Sequence, residues 1–166
     1  LILDKTGAGM DYIRQETEKL VSYCQGRDVV TVEDVEKVCA TQTTSHIFDM
    51  ISAIANKKQQ QALDLYYDLL ELKEPPMRIL YLIVRQFNGI LQVKDLMSRG
   101  ISGKEIASKI GAAPFVASKY QAQAKYFEMN TLLDALNECA KTEEAVKQGR
   151  LNDRLGVELI IIKYSK

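Results

Sequence analysis

The sequence predicts an all-α protein, because every convincing apolar segment repeats at the three- and four-residue spacing of an amphipathic helix. The longest such segment, Pro75–Gly100, has apolar residues on most of its sides. Its prolines suit the first turn of a helix, and its final glycine suits the left-handed conformation that ends one. We expect neighbouring helices to enclose it. The remaining polar positions are predicted to form one stripe, which is either solvated or a docking strip for a partner or nucleic acid: Arg78, Arg85, Gln92 and Arg99.

The first predicted helix runs from about Asp11 to Gln25. Within it, Glu16 and Lys19 are three residues apart, which is the spacing of a surface ion pair on a helix. The apolar residues of this helix follow helical spacing and are expected to face inward: Ile13, Leu20, Val21 and Cys24.

Thr31 is predicted to begin a second helix, and Asp34 follows it by three residues, as in a capping box. The polar run Thr41–Ser45 has nothing to bury and is predicted to be a linker. The sequence therefore predicts a small helical domain, residues 1–43, followed by a larger helical domain, residues 44–166.

The helices predicted after the linker are Ile47–Asn56, Gln59–Leu72, Pro75–Gly100, Lys104–Ile110, Phe115–Phe127, Thr131–Gln148 and Asp153–Tyr164. Ser102 with Glu105 is a second predicted capping box, and Asn130 and Asn152 are predicted caps of the last two helices. The last helix is so rich in apolar residues that we expect it to be buried on two sides, in its own core or against another chain.

Charge and composition exclude several classes of function. Lysine plus arginine and aspartate plus glutamate both total 22, so no overall field attracts nucleic acid or an acidic membrane. No apolar stretch reaches the length that crosses a bilayer, so we expect no membrane insertion. The cysteines, Cys24, Cys39 and Cys139, are widely spaced and fit neither a disulfide framework nor a zinc site, which favours the cytoplasm.

The sequence offers little for catalysis. His46 is the single histidine, so a catalytic triad would have one possible base, and a site with several histidine ligands is excluded. No glycine-rich loop has the spacing that binds a nucleotide phosphate. We therefore expect no catalytic residue, no cofactor and no metal, and a small enzyme that uses His46 is left as one alternative.

A helix-turn-helix DNA-binding regulator is the other alternative. Ala107 lies four residues before Gly111, and Val116 lies on the following helix, which is the spacing of that motif. The second helix would bring only Lys119 and Lys125 to DNA, so it would neutralise few phosphates and read few bases. A role for this helix pair in the protein core is favoured.

Short segments with a distinctive order and spacing run along the chain. They are E-T-E-K-L at Glu16, T-V-E-D-V at Thr31, I-F-D-M-I-S-A-I-A at Ile47, A-L-D-L-Y-Y-D-L-L at Ala62, P-P-M-R-I-L at Pro75, R-Q-F at Arg85, K-Q-G-R-L-N at Lys147 and V-E-L-I-I at Val157. Together they resemble the delta-subunit family of the bacterial DNA polymerase III clamp loader over nearly the whole chain. One position departs from the family pattern, because Glu143 stands four residues before Lys147 where an aspartate is common.

The resemblance implies both a fold and a function. Residues 1–43 would be the lid-like helical domain of an AAA+ architecture, and residues 44–166 the helical collar domain. The collar would join gamma/tau-type and delta-prime-type subunits in a ring of five that loads the sliding clamp at primer-template DNA, and the subunit itself would not hydrolyse ATP. The sliding clamp would be held by an N-terminal domain that precedes Leu1.

Two surfaces are predicted from the resemblance and from the residues around the last helix. Lys147 and Arg150, which precede that helix, are expected to lie near DNA. The interface with neighbouring loader subunits is assigned to the last helix and to two residues of the long helix: Arg85, Gln86, Ile160, Ile161 and Tyr164.

Overall fold

The structure is a computed structural model that describes residues 10–27, 29–38, 42–101 and 103–166. Within these ranges every regular element is an α-helix, and there is no strand. The predicted all-α fold class is therefore confirmed.

The helices of the described residues are α1 (Met10–Tyr23), α2 (Val32–Val38), α3 (Gln42–Ala55), α4 (Gln59–Glu71), α5 (Pro76–Ser98), α6 (Gly103–Lys109), α7 (Pro114–Ala124), α8 (Met129–Lys147) and α9 (Asp153–Tyr164). Each corresponds to a predicted helix, and the bounds agree closely except at the start of α3. The chain divides into two compact units, Leu1–Ser45 and His46–Lys166, so the division falls inside α3.

Thr31 and Asp34 form the predicted capping box at the start of α2. The Asp34 backbone N–H donates to Thr31 Oγ1 at 3.3 Å, and the Thr31 backbone N–H donates to Asp34 Oδ2 at 2.9 Å. Arg27 Nη2 donates to the other carboxylate oxygen of Asp34, also at 2.9 Å. The hydrogen bonds from Thr31 and from the Arg27 guanidinium hold the pKa of Asp34 well below its ordinary value.

The buried face of α1 is formed by Glu16, Leu20 and Cys24, which recur every four residues. Val21 is 64% exposed, so its predicted inward orientation is wrong. A residue one position after Leu20 is rotated by about 100° around the helix axis, which turns it away from this face. Glu16 pairs with Lys19 as predicted, but Glu16 is buried and does not lie on the surface.

The run Thr41–Ser45, predicted as a linker, is largely helical because α3 begins at Gln42. Thr41 itself lies outside the described residues. Small polar residues are tolerated in a first helical turn, where the backbone N–H groups have no partner within the helix. The linker prediction is therefore wrong, and the interpretation of the two units as separate domains stays a prediction.

Helix α5 lies at the centre of the larger unit and packs against α7, α8 and α9. It begins after Pro75, whose backbone is extended, and Gly100 follows its end with a φ of +75°. The predicted stripe of three arginines and Gln92 is exposed. The buried residues of α5 are Ile79, Leu80, Ile83, Gln86, Phe87, Ile90 and Val93. The prediction that neighbouring helices enclose α5 is confirmed.

Helix α9 begins with its predicted cap, whereas α8 does not. The Asn152 side chain accepts a hydrogen bond from the Leu155 backbone N–H at 3.2 Å. Asn130 is not a cap, because α8 already begins before it, at Met129. The second predicted capping box, at the start of α6, involves Ser102, which lies outside the described residues.

Candidate functional site

The side of α9 that the sequence assigns to a subunit interface lies inside the protein. Ile160 is 1% exposed, Ile161 0% and Tyr164 8%. Helix α9 packs against α4, α5 and α8, and these three residues belong to the core that the helices share. A neighbouring subunit could reach them only by opening the fold, so they are core residues and their assignment to an interface is corrected.

The outward side of α9 is also apolar. Leu155 is 45% exposed and Leu159 is 48% exposed, while Ile162 is partly buried. Their spacing of four and then three residues places them on one side of the helix. We call Leu155, Leu159 and Ile162 the α9 strip. Helix α9 therefore has two apolar sides, and the side that a partner can reach is this strip.

Two tyrosines of α4 hold α9 in place. Tyr66 Oη donates to the Arg154 carbonyl at 3.1 Å, and Tyr67 Oη donates to Glu158 Oε1 at 3.1 Å. The hydrogen bond to Glu158 raises the pKa of Tyr67, whereas burial raises the pKa of Tyr66. Tyr67 is 44% exposed, so its ring adds accessible aromatic surface beside the helix that carries the α9 strip.

The sequence predicts Gln86 at a subunit interface, but Gln86 is 4% exposed and is bonded within the chain. Gln86 Nε2 donates to Gln123 Oε1 at 2.7 Å. Gln123 Nε2 in turn donates to Ser52 Oγ at 2.7 Å and to the Phe48 carbonyl at 3.0 Å. This network joins α5, α7 and α3 and satisfies polar groups that are costly to bury alone. The interface assignment of Gln86 is therefore wrong.

Arg85 alone among the predicted interface residues is exposed. It lies in a groove lined by α5 residues between Tyr81 and Gln92 and by residues 110–120 of the α6–α7 turn and of α7. We call this feature, which has a volume of about 660 Å³, the Arg85 groove. Tyr120 lies in its wall, and burial raises the pKa of this tyrosine although the Arg85 guanidinium opposes the shift.

Lys147 and Arg150 lie at the turn between α8 and α9, and both are exposed. Gly149 makes the turn with a φ of +70°, a conformation that glycine adopts without strain. Lys147 Nζ lies 2.6 Å from Glu143 Oε1, one helical turn earlier. We call the segment Lys147–Arg150 the cationic turn. The ion pair offsets part of the charge of Lys147, while no residue in the described ranges forms an ion pair with Arg150.

Cys139 and His46 are both at least partly buried. Cys139 is buried, which raises the pKa of its thiol to about 12 and keeps it protonated. His46 lies within α3 and is partly buried, and its Nδ1 has no hydrogen-bond partner among the described residues. In the same ranges, no three His, Cys, Asp or Glu side chains are grouped so that they could hold a metal ion.

Helices α6 and α7 pack against each other, as the helix-turn-helix alternative requires. Lys119 Nζ, however, lies 4.6 Å from the centroid of the Phe48 ring, which is the arrangement of a cation–π contact within the protein. Lys125 lies at the end of α7, away from the helix start that normally reads bases. The alternative of a DNA-reading helix pair is therefore not supported.

None of the described helices is long and apolar enough to cross a bilayer.

The larger unit matches a known protein family. Residues 44–164 match the family model described as DNA polymerase III delta subunit, C-terminal domain. The chain belongs to the DNA polymerase III delta-subunit family. The resemblance that the sequence predicts is therefore confirmed.

Similar proteins extend this match beyond the larger unit. A curated relative of the delta family, DNA polymerase III subunit delta of Bacillus subtilis (strain 168), is 32% identical over 154 residues, which are 93% of this chain and 44% of the relative. The solved Bacillus subtilis DNA clamp loader delta protein has a TM-score of 0.74 and 30% identity, and the match covers 99% of this chain and 48% of that one. The chain thus spans about half the length of the relatives it matches.

In this delta-family chain, the assignment of α9 to an interface stays a prediction, and sequence reasoning named residues of its buried side instead of the exposed Leu155 and Leu159. Both sides of α9 are apolar, so periodicity alone does not tell which side meets the core. Gly156 was the available signal. A Cβ at Gly156 would lie 2.8 Å from Thr142 Cγ2 of α8, so this glycine marks the side where the two helices approach closely. The α9 strip lies about a quarter turn around the helix from Gly156, on the side away from the buried Val157 and Ile160.

Proposed function

We propose that this chain is the C-terminal part of a non-catalytic clamp-loader subunit that acts in DNA replication. The larger unit is the collar domain, which joins gamma/tau-type and delta-prime-type subunits so that the sliding clamp can be loaded on primed DNA. The smaller unit is the lid-like domain of an AAA+ architecture. The match of residues 44–164 to the delta C-terminal domain supports this proposal most strongly.

We assign the α9 strip to the interface with another loader subunit. Leu155 and Leu159 are about half exposed on the outer side of α9, whose other side is packed into the core. Removing this apolar surface from water favours association by at most about 25 cal/mol per Å², before the entropy lost on binding is subtracted. Tyr67 lies beside the same helix and is bonded to Glu158, so it adds an aromatic side chain that is held in position.

We assign the cationic turn to the side of the collar near primer-template DNA. Lys147 and Arg150 are exposed at one turn, where they can approach phosphates without unfolding any helix. The charges of this chain balance overall, so DNA contact depends on a local group of cations such as this one. The sliding clamp is assigned to a part of the delta protein outside this chain.

Mixing the chain with purified gamma/tau-type and delta-prime-type subunits tests the function. Light scattering coupled to gel filtration should detect a complex whose mass exceeds that of the same mixture without the chain. The chain has to be folded in this assay, which its circular dichroism spectrum checks. A folded chain that elutes alone at micromolar concentrations would refute assembly through this part of the protein.

A further inference from the structure

The Arg85 groove has a shape that the packing of α5 against α7 fixes in advance. A Cβ at Gly89 would lie 2.4 Å from Tyr120 Cε2, so only glycine allows the ring to pack this closely on α5. The Tyr120 ring also packs against Phe48, with 5.7 Å between the ring centroids. The groove volume of about 660 Å³ is within the range of sites that bind ligands. The shape of this open groove is therefore fixed by packing within the chain.

Arg85 differs from the other arginines of the exposed α5 stripe. Arg78 and Arg99 each pair with a carboxylate four residues earlier, at 3.3 Å and 2.8 Å. The residue four positions before Arg85 is Tyr81, and none of the residues that line the groove is acidic. No described residue forms an ion pair with Arg85. The single charge of the groove is therefore positive and open to a carboxylate from outside.

The remaining lining of the groove is apolar or carries uncharged amides. Val84, Ile110 and Val116 supply aliphatic surface, and Asn88 and Gln92 supply hydrogen-bonding groups. Such a mixture suits a polypeptide, whose side chains combine apolar and acidic groups. It suits a nucleic acid poorly, because one cation neutralises little of a phosphate backbone.

We propose that the Arg85 groove binds a segment of a partner protein that carries an Asp or Glu side chain between apolar ones. The guanidinium of Arg85 binds the carboxylate, and the aliphatic wall of the groove receives the neighbouring apolar side chains. Tyr81, which is 63% exposed, lies one helical turn from Arg85 and covers the segment. The proposal uses the surface of this chain alone and does not depend on its role in a clamp loader.

The probe that tests this proposal is a short amphipathic helical peptide made of Leu, Ala and Glu. It is titrated into the isotope-labelled chain while the amide NMR spectrum is recorded. The amides of Gly89, Gly111 and Ala112 should shift. Replacing Arg85 by Gln should weaken binding by about tenfold, as expected for the loss of a charge-assisted hydrogen bond. Arg99→Gln, on the same stripe, is the matched control and should bind as the wild type does.

Two further peptide titrations test the role of the charges. The same peptide with Gln in place of Glu should bind more weakly to the wild type, and Arg85→Glu should prefer a peptide with Lys in place of Glu. The proposal is overturned if the groove amides do not shift at millimolar peptide, or if Arg85→Gln binds as tightly as Arg99→Gln. Single-stranded DNA that shifts the same amides at lower concentration than the peptide would also overturn it, by making the groove a nucleic-acid site.

Discussion

Gln86 and Gln123 are polar side chains buried among apolar ones, and each supplies the other with a hydrogen-bond partner. Replacing Gln86 by Leu leaves Gln123 Oε1 without its donor, and an unsatisfied buried group costs about 1–3 kcal/mol. We expect Gln86→Leu to lower the free energy of unfolding by this amount in urea denaturation followed by circular dichroism. Gln92→Leu, at an exposed position of the same helix, is the control. Equal stability of Gln86→Leu and the wild type would contradict a role for the network.

Phe87 is fully buried in α5 and packs edge-on against Phe127, with 5.7 Å between the ring centroids. Replacing Phe87 by Ala leaves a cavity, and we expect the free energy of unfolding to fall by about 3–5 kcal/mol. Arg85→Ala, two residues earlier but exposed, should change it by less than about 0.5 kcal/mol. Urea denaturation of both variants measures the contrast. A larger loss for Arg85→Ala than for Phe87→Ala would mean that the orientation of α5 is reversed.

What the sequence predicts for single residues depends on how far away their partners lie. The Thr31–Asp34 box and the Asn152 cap were predicted correctly because their hydrogen bonds join residues three apart, and local spacing determines them. Gln86 was assigned wrongly because its partner is 37 residues away on another helix. The exposed stripe that includes Arg85 was predicted correctly, since charged side chains are seldom buried without a partner of opposite charge.

At the level of elements, the proposed position of the cationic turn near DNA is tested by reversing its charges. Reversing Lys147 and Arg150 to Glu in a reconstituted full-length loader should weaken binding to primer-template DNA, most strongly at low salt, because exposed charges are screened as salt rises. Fluorescence anisotropy at two salt concentrations measures this, and light scattering should find the assembly intact. Lys125→Glu, another exposed lysine, is the control. If the double variant bound DNA at low salt as tightly as the wild type does, the assignment of the cationic turn to the DNA-facing side would be wrong.

For helices α3 and α9, the spacing of apolar residues predicts some features correctly and others wrongly. The bounds of α9 were predicted correctly because Asn152 caps its start and apolar residues recur as far as Tyr164. Its exposed apolar side was not, because a helix that is apolar on two sides has no polar side to mark the solvent. The start of α3 was placed too late because its first residues are polar, and helical periodicity is read from apolar residues.

At the level of the whole molecule, the core of the larger unit explains why its fold class was predictable. The core runs from Ile47 to Tyr164, and the helices from α3 to α9 all contribute apolar residues to it. The family was predicted from the order of short segments, and the match over residues 44–164 confirms it. Interfaces were less predictable, because the residues that meet a partner depend on which side of each helix the core leaves free.

We propose that the outer side of α9 holds this chain against a neighbouring loader subunit. The most direct measurement is the dissociation constant of the mixed assembly for the variant that carries Leu155→Asp and Leu159→Asp. The control is Leu133→Asp, an α8 leucine that is 49% exposed. We predict that the α9 variant keeps its Tm but binds at least about tenfold more weakly, because charges replace apolar contacts at the interface. The Leu133 variant should assemble normally. A folded α9 variant that assembles as tightly as the wild type would contradict the claim.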